Sequence, residues 1–216
     1  MLISHSKKFI FIHVYKVGGT SISTVLSKYC DYSFWTASKI NKVKYLFKLK
    51  PRIFHTDFPH HISANDLREK IPDSIFNSYY KFAFVRNPWD WQVSLYNFML
   101  KYEKHPQHVF IKRMKNFDEY LDWRIIDGLA LQKELLTNGQ DDLLVDKVGK
   151  LENFQHDFDK ICSKIGVVNT QLSHDNKSTY DSYKNYYSKE TYDMVKEAFK
   201  EDITYFSYPE DYYSFK

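Results

Sequence analysis

Cysteine, glycine and proline are all scarce in this sequence. Its 216 residues include 2 cysteines, Cys30 and Cys162, and neither lies in a CxxC pair or near a cluster of histidines. Two isolated cysteines exclude a disulfide-rich scaffold and are typical of a reducing compartment. With 6 glycines and 6 prolines, the composition argues against a collagen-like, linker-rich or disordered chain.

The sequence also lacks a long apolar run and a strong excess of charge. No segment approaches the roughly 18 apolar residues of a membrane span. The apolar run near the start is too short for a signal peptide, and His13 and Lys16 interrupt it. We therefore expect a cytoplasmic protein with no transmembrane segment. The formal net charge of +4 is compatible with anionic ligands but too small to indicate nucleic acid as a partner.

Aromatic residues, by contrast, make up 18% of the chain, and 216 residues suit one domain with a sizeable core. Residues 8–14 and 80–85 are short apolar runs that we interpret as buried strands, each followed by a helix-forming segment. A further short strand is predicted within 143–153. This order predicts an α/β fold, a single P-loop-like domain over residues 1–216 with a mostly parallel central sheet flanked by helices.

The predicted helices begin at capping residues. We expect Thr20 to cap the first helix, Ser63 to cap a short helix after it, and Pro88 to open the helix after the second strand. Residues 155–165 have the spacing of an amphipathic helix. A single last helix is expected after Ser188, with an apolar face formed by Tyr192, Val195, Phe199 and Ile203.

The segment HVYKVGGTS, which begins at His13, joins the first predicted strand to the first helix and suits an anionic ligand. Its glycines let the backbone approach an anion closely, and the helix N-terminus offers N–H groups and partial positive charge. With a lysine charge and two hydroxyls added, the candidate phosphate-binding residues are Lys16, Gly18, Gly19, Thr20 and Ser21. This is not a Walker A motif, because the lysine precedes the glycines. The alternative is an ordinary glycine turn beside a surface lysine.

A second candidate anion site follows the second predicted strand. Arg86 leaves the end of that strand, where ligand crevices form in parallel sheets, and its guanidinium can hold a phosphate through two parallel hydrogen bonds. Ser94 lies about 9 Å beyond Pro88 along the predicted helix, so it can face the same pocket. Asn87 and Asp90 are interpreted as turn and cap residues.

Together, the two segments resemble the phosphosulfate loop and the 3′-phosphate site of the sulfotransferase superfamily. The resemblance is strongest to the bacterial and Golgi-type carbohydrate sulfotransferases, whose opening motif is close to H-x-P-K-T-G-G-T-S. It extends over most of the chain in the same order, through HISA, RNPWD, LEN, NKS and a late Asp-Ile pair. Two positions depart from the motif, since Tyr15 replaces the usual proline and Val17 the usual threonine. Losing the fixed φ of proline puts the rigidity of the loop, and with it the affinity for the donor, in question.

The resemblance implies transfer of a sulfuryl group from 3′-phosphoadenosine 5′-phosphosulfate (PAPS) to a hydroxyl or amine of an acceptor, expected to be a carbohydrate. The product would be 3′-phosphoadenosine 5′-phosphate (PAP), and no metal is implied. The 5′-phosphosulfate would be held by Lys16, Gly18, Gly19, Thr20 and Ser21. The 3′-phosphate would be held by Arg86 and Ser94. Asn176 and Ser178 would close the donor pocket, unless they form a polar surface turn.

The same resemblance implies two catalytic residues. Lys16 would stabilise the bridging oxygen of the donor as its bond to sulfur breaks, and His61 would take the proton of the acceptor, for which a histidine pKa is well suited. His60 and His55 are neighbouring candidates for that base. A zinc site formed by His55, Asp57, His60 and His61 is a further possibility, but this spacing matches no usual ligand pattern.

Two other functions remain open at the level of sequence. A P-loop kinase of a small metabolite would use ATP and magnesium, although Lys16 is misplaced for it. A non-catalytic nucleotide-binding module would keep the pocket and lack a competent base. The lysine-rich stretch 39–52 either contacts an anionic acceptor or membrane surface or is a solvated face.

Overall fold

The computed structural model describes residues 1–30, 41–44, 46, 53–168, 170–172 and 182–211. The strands are β1 (Leu2–Ser4), β2 (Phe9–Ile12), β3 (Tyr80–Val85) and β4 (Lys147–Lys150). The α-helices are α1 (Gly19–Leu26), α2 (Ala64–Lys70), α3 (Asp73–Ser78), α4 (Pro88–Lys101), α5 (His108–Ile111), α6 (Phe117–Ile126), α7 (Phe154–Lys164), α8 (Lys189–Ala198) and α9 (Lys200–Tyr205). Short 3-10 turns lie at Ser27–Tyr29, His55–Asp57, Lys133–Leu135, Leu151–Asn153 and Tyr183–Tyr186.

The chain divides into two compact units. The first comprises Met1–Val85 and Leu135–Asp175, and the second comprises Arg86–Glu134 and Asn176–Lys216. The expectation of a single domain stays a prediction. Within the part of the chain that the structure describes, no helix has the length and apolar character needed to cross a membrane.

The first unit contains a four-stranded sheet in the order β1-β2-β3-β4. β1 pairs with β2 antiparallel, whereas the β2–β3 and β3–β4 pairs are parallel, so the predicted α/β fold with a mostly parallel sheet is confirmed. All four residues of β2 are buried, as expected for a strand covered on both faces. The strands predicted within 8–14, 80–85 and 143–153 are present as β2, β3 and β4.

Aromatic rings fill the core of the first unit. Phe11 on β2 stacks on Phe82 of β3 with ring centroids 5.2 Å apart. Phe84 meets Phe154, the first residue of α7, edge to face at 5.2 Å. A Cβ at Gly149 on β4 would lie 2.5 Å from the Phe84 ring, so this ring packs directly on the backbone of β4.

The second unit is built around α4 and α8. Asn87 caps α4 by accepting hydrogen bonds from the N–H groups of Trp89 and Asp90, as predicted. The Trp89 indole is fully buried and stacks on Tyr192 of α8 with ring centroids 4.6 Å apart and planes 8° apart. Ser188 caps α8 by accepting from the N–H of Thr191. These contacts bury the aromatic residues of both helices in one core.

Two predictions about helix boundaries are wrong. α1 begins at Gly19 with Gly18 as its N-cap in a left-handed conformation, so Thr20 lies inside the first turn and does not cap the helix. The last predicted helix is divided into α8 and α9 at Phe199, whose φ of −107° and ψ of 19° are not helical. Its apolar residues are nevertheless buried, because both helices face the same core. The predicted Ser63 cap is confirmed, with its hydroxyl accepting from the N–H of Asp66.

Candidate functional site

The loop between β2 and α1 is held in an unusual backbone conformation. Lys16 has a φ of 61° and Gly18 a φ of 80°, both in the left-handed region. Such a φ is uncommon for lysine and is found where the surrounding structure holds a turn in place, often at a ligand site. Val17 between them is fully buried, and the partly buried Tyr15 ring meets His61 edge to face at 5.9 Å. The two residues that depart from the family motif therefore pack the loop onto the first unit.

Both glycines of the loop occupy positions that no other residue fits. A Cβ at Gly18 would lie 2.5 Å from the Phe154 ring, and its positive φ would strain any side chain. A Cβ at Gly19 would overlap the imidazole of His13. The turn into α1 therefore packs directly against side chains of the same unit. A side chain added at either glycine would have to displace them.

The first turn of α1 presents backbone donors. The N–H of Ile22 is the first to bond within the helix, to the carbonyl of Gly18 at 3.3 Å. The N–H groups of Gly19, Thr20 and Ser21 precede that bond and carry the positive end of the helix dipole. No acidic residue lies in this turn, Thr20 is exposed and Ser21 is buried. This arrangement can bind an anion, and Lys16, three residues earlier, adds a full positive charge.

His61 lies close to the loop in a defined orientation. Its Nδ1 is 2.8 Å from the backbone carbonyl oxygen of His13. A carbonyl only accepts, so Nδ1 carries the proton and Nε2 keeps the lone pair in the neutral ring. Partial desolvation by neighbouring groups lowers the pKa of the His61 ring although the residue is exposed; this hydrogen bond opposes the effect in part, and the ring is neutral near pH 7. Nε2 of an exposed, neutral His61 can therefore accept a proton.

Two further histidines surround His61. The ring centroids of His13 and His60 lie 4.6 and 4.9 Å from that of His61, and 4.4 Å from each other. Burial, and then the positive groups nearby, lowers the pKa of His13 to about 2 and that of His60 to about 4. His55, the other candidate base, lies in the preceding 3-10 turn, and its pKa is also lowered by burial. Sequence reasoning overlooked His13 as a member of this cluster, because it lies 48 positions from His61.

In the second unit, Arg86 makes a bidentate ion pair with Asp90. Its Nε and Nη2 donate to the two carboxylate oxygens at 2.7 and 2.8 Å, across one turn of chain. The two parallel hydrogen bonds expected for a phosphate are thus made to Asp90, which sequence analysis had interpreted as a turn or cap residue. Ser94 is buried on α4, in the same unit.

The backbone of Arg86 is fixed by a residue that sequence analysis missed. The Gln132 side chain accepts from the N–H of Arg86 at 2.9 Å and donates to its carbonyl at 2.8 Å. The N–H groups of Gln132 and Lys133 in turn donate to the two oxygens of Asp202 at 2.8 and 2.9 Å. Asp202 is fully buried, and burial raises its pKa to about 6. A continuous set of hydrogen bonds therefore runs from α9 to Arg86.

Not all predicted site residues can be placed in the structure. Asn176 and Ser178 lie outside the described residues, as does most of the lysine-rich stretch 39–52. The loop residues and His61 are in the first unit, whereas Arg86 and Ser94 are in the second. The roles assigned to all of them from the sequence stay predictions.

Comparisons with known proteins complete the description. A protein-family model described as "Sulfotransferase family" matches residues 1–209. An uncharacterized protein of Archaeoglobus fulgidus is 27% identical over 118 residues, which is 55% of this chain and 93% of that protein. The crystal structure of mouse sulfotransferase SULT7A1 complexed with PAP matches with a TM-score of 0.53 and 17% identity, covering 93% of this chain and 85% of that one. At this identity the structural match shows a shared fold.

Proposed function

The chain belongs to the sulfotransferase family, and from this premise we propose that it is an enzyme that transfers a sulfuryl group from PAPS to an acceptor hydroxyl or amine. The observation that carries the proposal is the glycine turn into α1. The positions of its two glycines leave no room for side chains. The N–H groups of the first turn of α1 are available as donors, and Lys16 precedes them in the loop. These features suit an anion with several oxygens bound against the backbone.

The proposed donor has phosphate groups at two ends of one ribose, and each is assigned to one group of residues. The 5′-phosphosulfate is assigned to the loop residues Lys16, Gly18, Gly19, Thr20 and Ser21. The 3′-phosphate is assigned to Arg86 and Ser94. Because Asp90 holds Nε and Nη2 of Arg86, a phosphate must replace this carboxylate or share the guanidinium with it. The PAP bound to the mouse protein of the same fold supports this donor class.

In the proposed reaction, PAPS supplies the sulfuryl group, and the side chains of this chain position and neutralise charge. His61 Nε2 takes the proton of the acceptor as the acceptor oxygen or nitrogen forms its bond to sulfur. The bond between sulfur and the bridging phosphate oxygen breaks, and Lys16 stabilises the negative charge that grows there. Transfers of this kind depend mainly on positioning and on cationic stabilisation.

The remaining parts of the proposal rest on the family resemblance. Asn176 and Ser178 are proposed to close the donor pocket, and the acceptor is proposed to be a carbohydrate. No metal takes part in the proposed reaction. A cytoplasmic location is also proposed, and it agrees with Cys30 and Cys162 being buried free thiols, as is common in a reducing compartment.

Calorimetric titration of the purified chain tests the choice of donor against the two alternatives. PAP should bind and raise the melting temperature, whereas ATP with magnesium should bind much more weakly. Lys16→Ala should weaken PAP binding, and the matched control Lys28→Ala, at an exposed lysine in the 3-10 turn after α1, should leave it unchanged. Equal or tighter binding of ATP with magnesium would favour the kinase. PAP binding without turnover on any acceptor would favour the non-catalytic module.

A further inference from the structure

Three histidines of the first unit form one cluster beside the loop. His13 follows β2, and His60 and His61 lie in the turn before α2. The three rings are in mutual contact, and one nitrogen of each lies within 4.8 Å of the other two. Among the described residues, this set alone has the spacing of a metal site formed by three or more His, Cys, Asp or Glu side chains.

Two of the three rings, those of His61 and His13, have a ring nitrogen available for coordination. The Nδ1–H of His61 is fixed by the carbonyl of His13, so its Nε2 lone pair is available. A metal-binding histidine commonly donates its other N–H to such a carbonyl. His13 is 6% exposed, and its Nδ1 is buried without a hydrogen-bond partner among the described residues. A buried polar atom with no partner is costly, and coordination through this nitrogen would supply one.

His60 and His61 are exposed on one side of the cluster, which leaves room for a water or another ligand at a fourth position. Zinc bonds to histidine are about 2.0–2.1 Å long, so the nitrogens of a tetrahedral site lie roughly 3.3 Å apart. The three nitrogens lie within 4.8 Å of one another, so a shift of the exposed His60 ring would bring them toward this distance.

We propose that His13, His60 and His61 bind a divalent ion of the zinc type, and that the bound ion blocks sulfuryl transfer. The ion and the acceptor proton compete for one lone pair, that of His61 Nε2. The ion is therefore an inhibitor and not a participant in the reaction. The inhibition rests on the proposed function, whereas the binding of the ion does not.

The structure assigns a different set of ligands from the one considered on sequence alone. His55 and Asp57 are not members of the cluster. The carboxylate of Asp57 accepts from the N–H of Phe54 at 2.9 Å and so caps its own turn. His13, 47 positions before His60, takes their place. A substitution at His55 therefore serves as a matched control for one at His60, because both are histidines of the same short segment.

Direct metal titration of the full chain tests the binding. We expect one Zn²⁺ per chain by calorimetry, and Co²⁺ should give the visible absorption of a tetrahedral site with nitrogen ligands. Removing outer-shell partners of metal ligands costs 10–100-fold in affinity, so His60→Ala, which removes a ligand, should cost about 100-fold or more. His55→Ala should change the affinity less than about 2-fold. Zn²⁺ should also raise the melting temperature of the native chain and not that of His60→Ala.

Several results would overturn the proposal. These are the absence of stoichiometric Zn²⁺ binding, unchanged affinity in His60→Ala, or an equal loss in His55→Ala. Circular dichroism of His60→Ala without metal checks that the variant is folded, and His60→Gln, which keeps a polar side chain, replaces it if it is not.

Turnover measured with and without Zn²⁺ tests the inhibition. The concentration of Zn²⁺ that halves turnover should equal the dissociation constant from titration, and a chelator should restore activity. In His60→Ala, the turnover with Zn²⁺ divided by the turnover without it should stay constant over the same range of Zn²⁺ concentrations. Bound Zn²⁺ with unchanged turnover would overturn the proposed inhibition and would also show that His61 Nε2 is not the base. If no acceptor is ever sulfated, the titration still decides whether the metal site exists.

Discussion

The buried carboxylate of Asp202 should make the stability of the protein fall as the pH rises from about 4 to about 6. Burial raises its folded-state pKa to about 6, against 3.8 as the ordinary value. Between these two pH values the folded chain binds a proton that the unfolded chain has lost, so folding is favoured at the lower pH. A difference of about two between the folded and unfolded pKa values corresponds to about 2–3 kcal/mol of folding stability. This contribution is present below pH 4 and fully lost above pH 6.

Urea unfolding at pH 4, 5, 6 and 7 measures this effect through the substitution Asp202→Asn. Asparagine does not titrate. The unfolding free energy of the native chain minus that of Asp202→Asn should therefore fall by about 2–3 kcal/mol from pH 4 to pH 7. Asp193→Asn, at an exposed carboxylate on α8, is the matched control for the change of residue type. A constant difference for Asp202→Asn, or one that grows with pH, would refute the assignment of a raised pKa to this group.

Three further predictions concern the candidate site. Gly19→Ala should lower the free energy of unfolding by about 1–3 kcal/mol because its methyl overlaps an imidazole, whereas Gly139→Ala, where no atom lies within 4 Å of the added methyl, should not show this loss in urea unfolding. His61→Ala should leave PAP binding nearly intact and lower turnover about 10²–10⁴-fold, whereas Lys16→Ala should reduce both; binding that falls equally in the two variants would contradict these roles. Arg86→Ala should weaken PAP strongly and a ligand without the 3′-phosphate barely, with poor rescue by Arg86→Lys, and calorimetry showing equal losses for both ligands would make Arg86 structural.

The fold was predictable where the signal is local. Short apolar runs predicted β2 and β3, because a strand covered on both faces needs apolar residues throughout. The hydroxyl of Ser63 and the amide of Asn87 cap their helices as expected, since a cap bonds to N–H groups within three residues. Thr20 failed as a cap because Gly18 can adopt a left-handed φ, so that α1 begins two residues earlier than predicted.

The partners of the candidate site residues were not predictable, because they are distant in sequence. Gln132 lies 46 positions from Arg86, and Asp202 lies 70 positions from Gln132. No periodic pattern or motif connects such positions, although a buried glutamine needs partners for its amide. The ion pair of Arg86 with Asp90 is the exception, since a spacing of four residues brings opposite charges together at the start of a helix.

The departures of Tyr15 and Val17 from the family motif are explained by packing. A proline before the lysine would stiffen the loop through its own ring. Here Val17 is fully buried, and Tyr15 contacts the ring of His61. Tertiary contacts thus hold the loop in place of a fixed φ, which single-sequence reasoning cannot detect.

Release of PAP from PAPS in the presence of candidate acceptors is the most direct test of the central claim. The purified chain should be incubated with PAPS and with panels of glycans, lipids and phenols, with Lys16→Ala as the inactive control and Lys28→Ala as the active one. The account predicts PAP release that depends on an acceptor and matches the sulfated product one for one. The account would be contradicted if neither the native chain nor Lys28→Ala released PAP with any acceptor. It would also be contradicted if Lys16→Ala released as much PAP as the native chain.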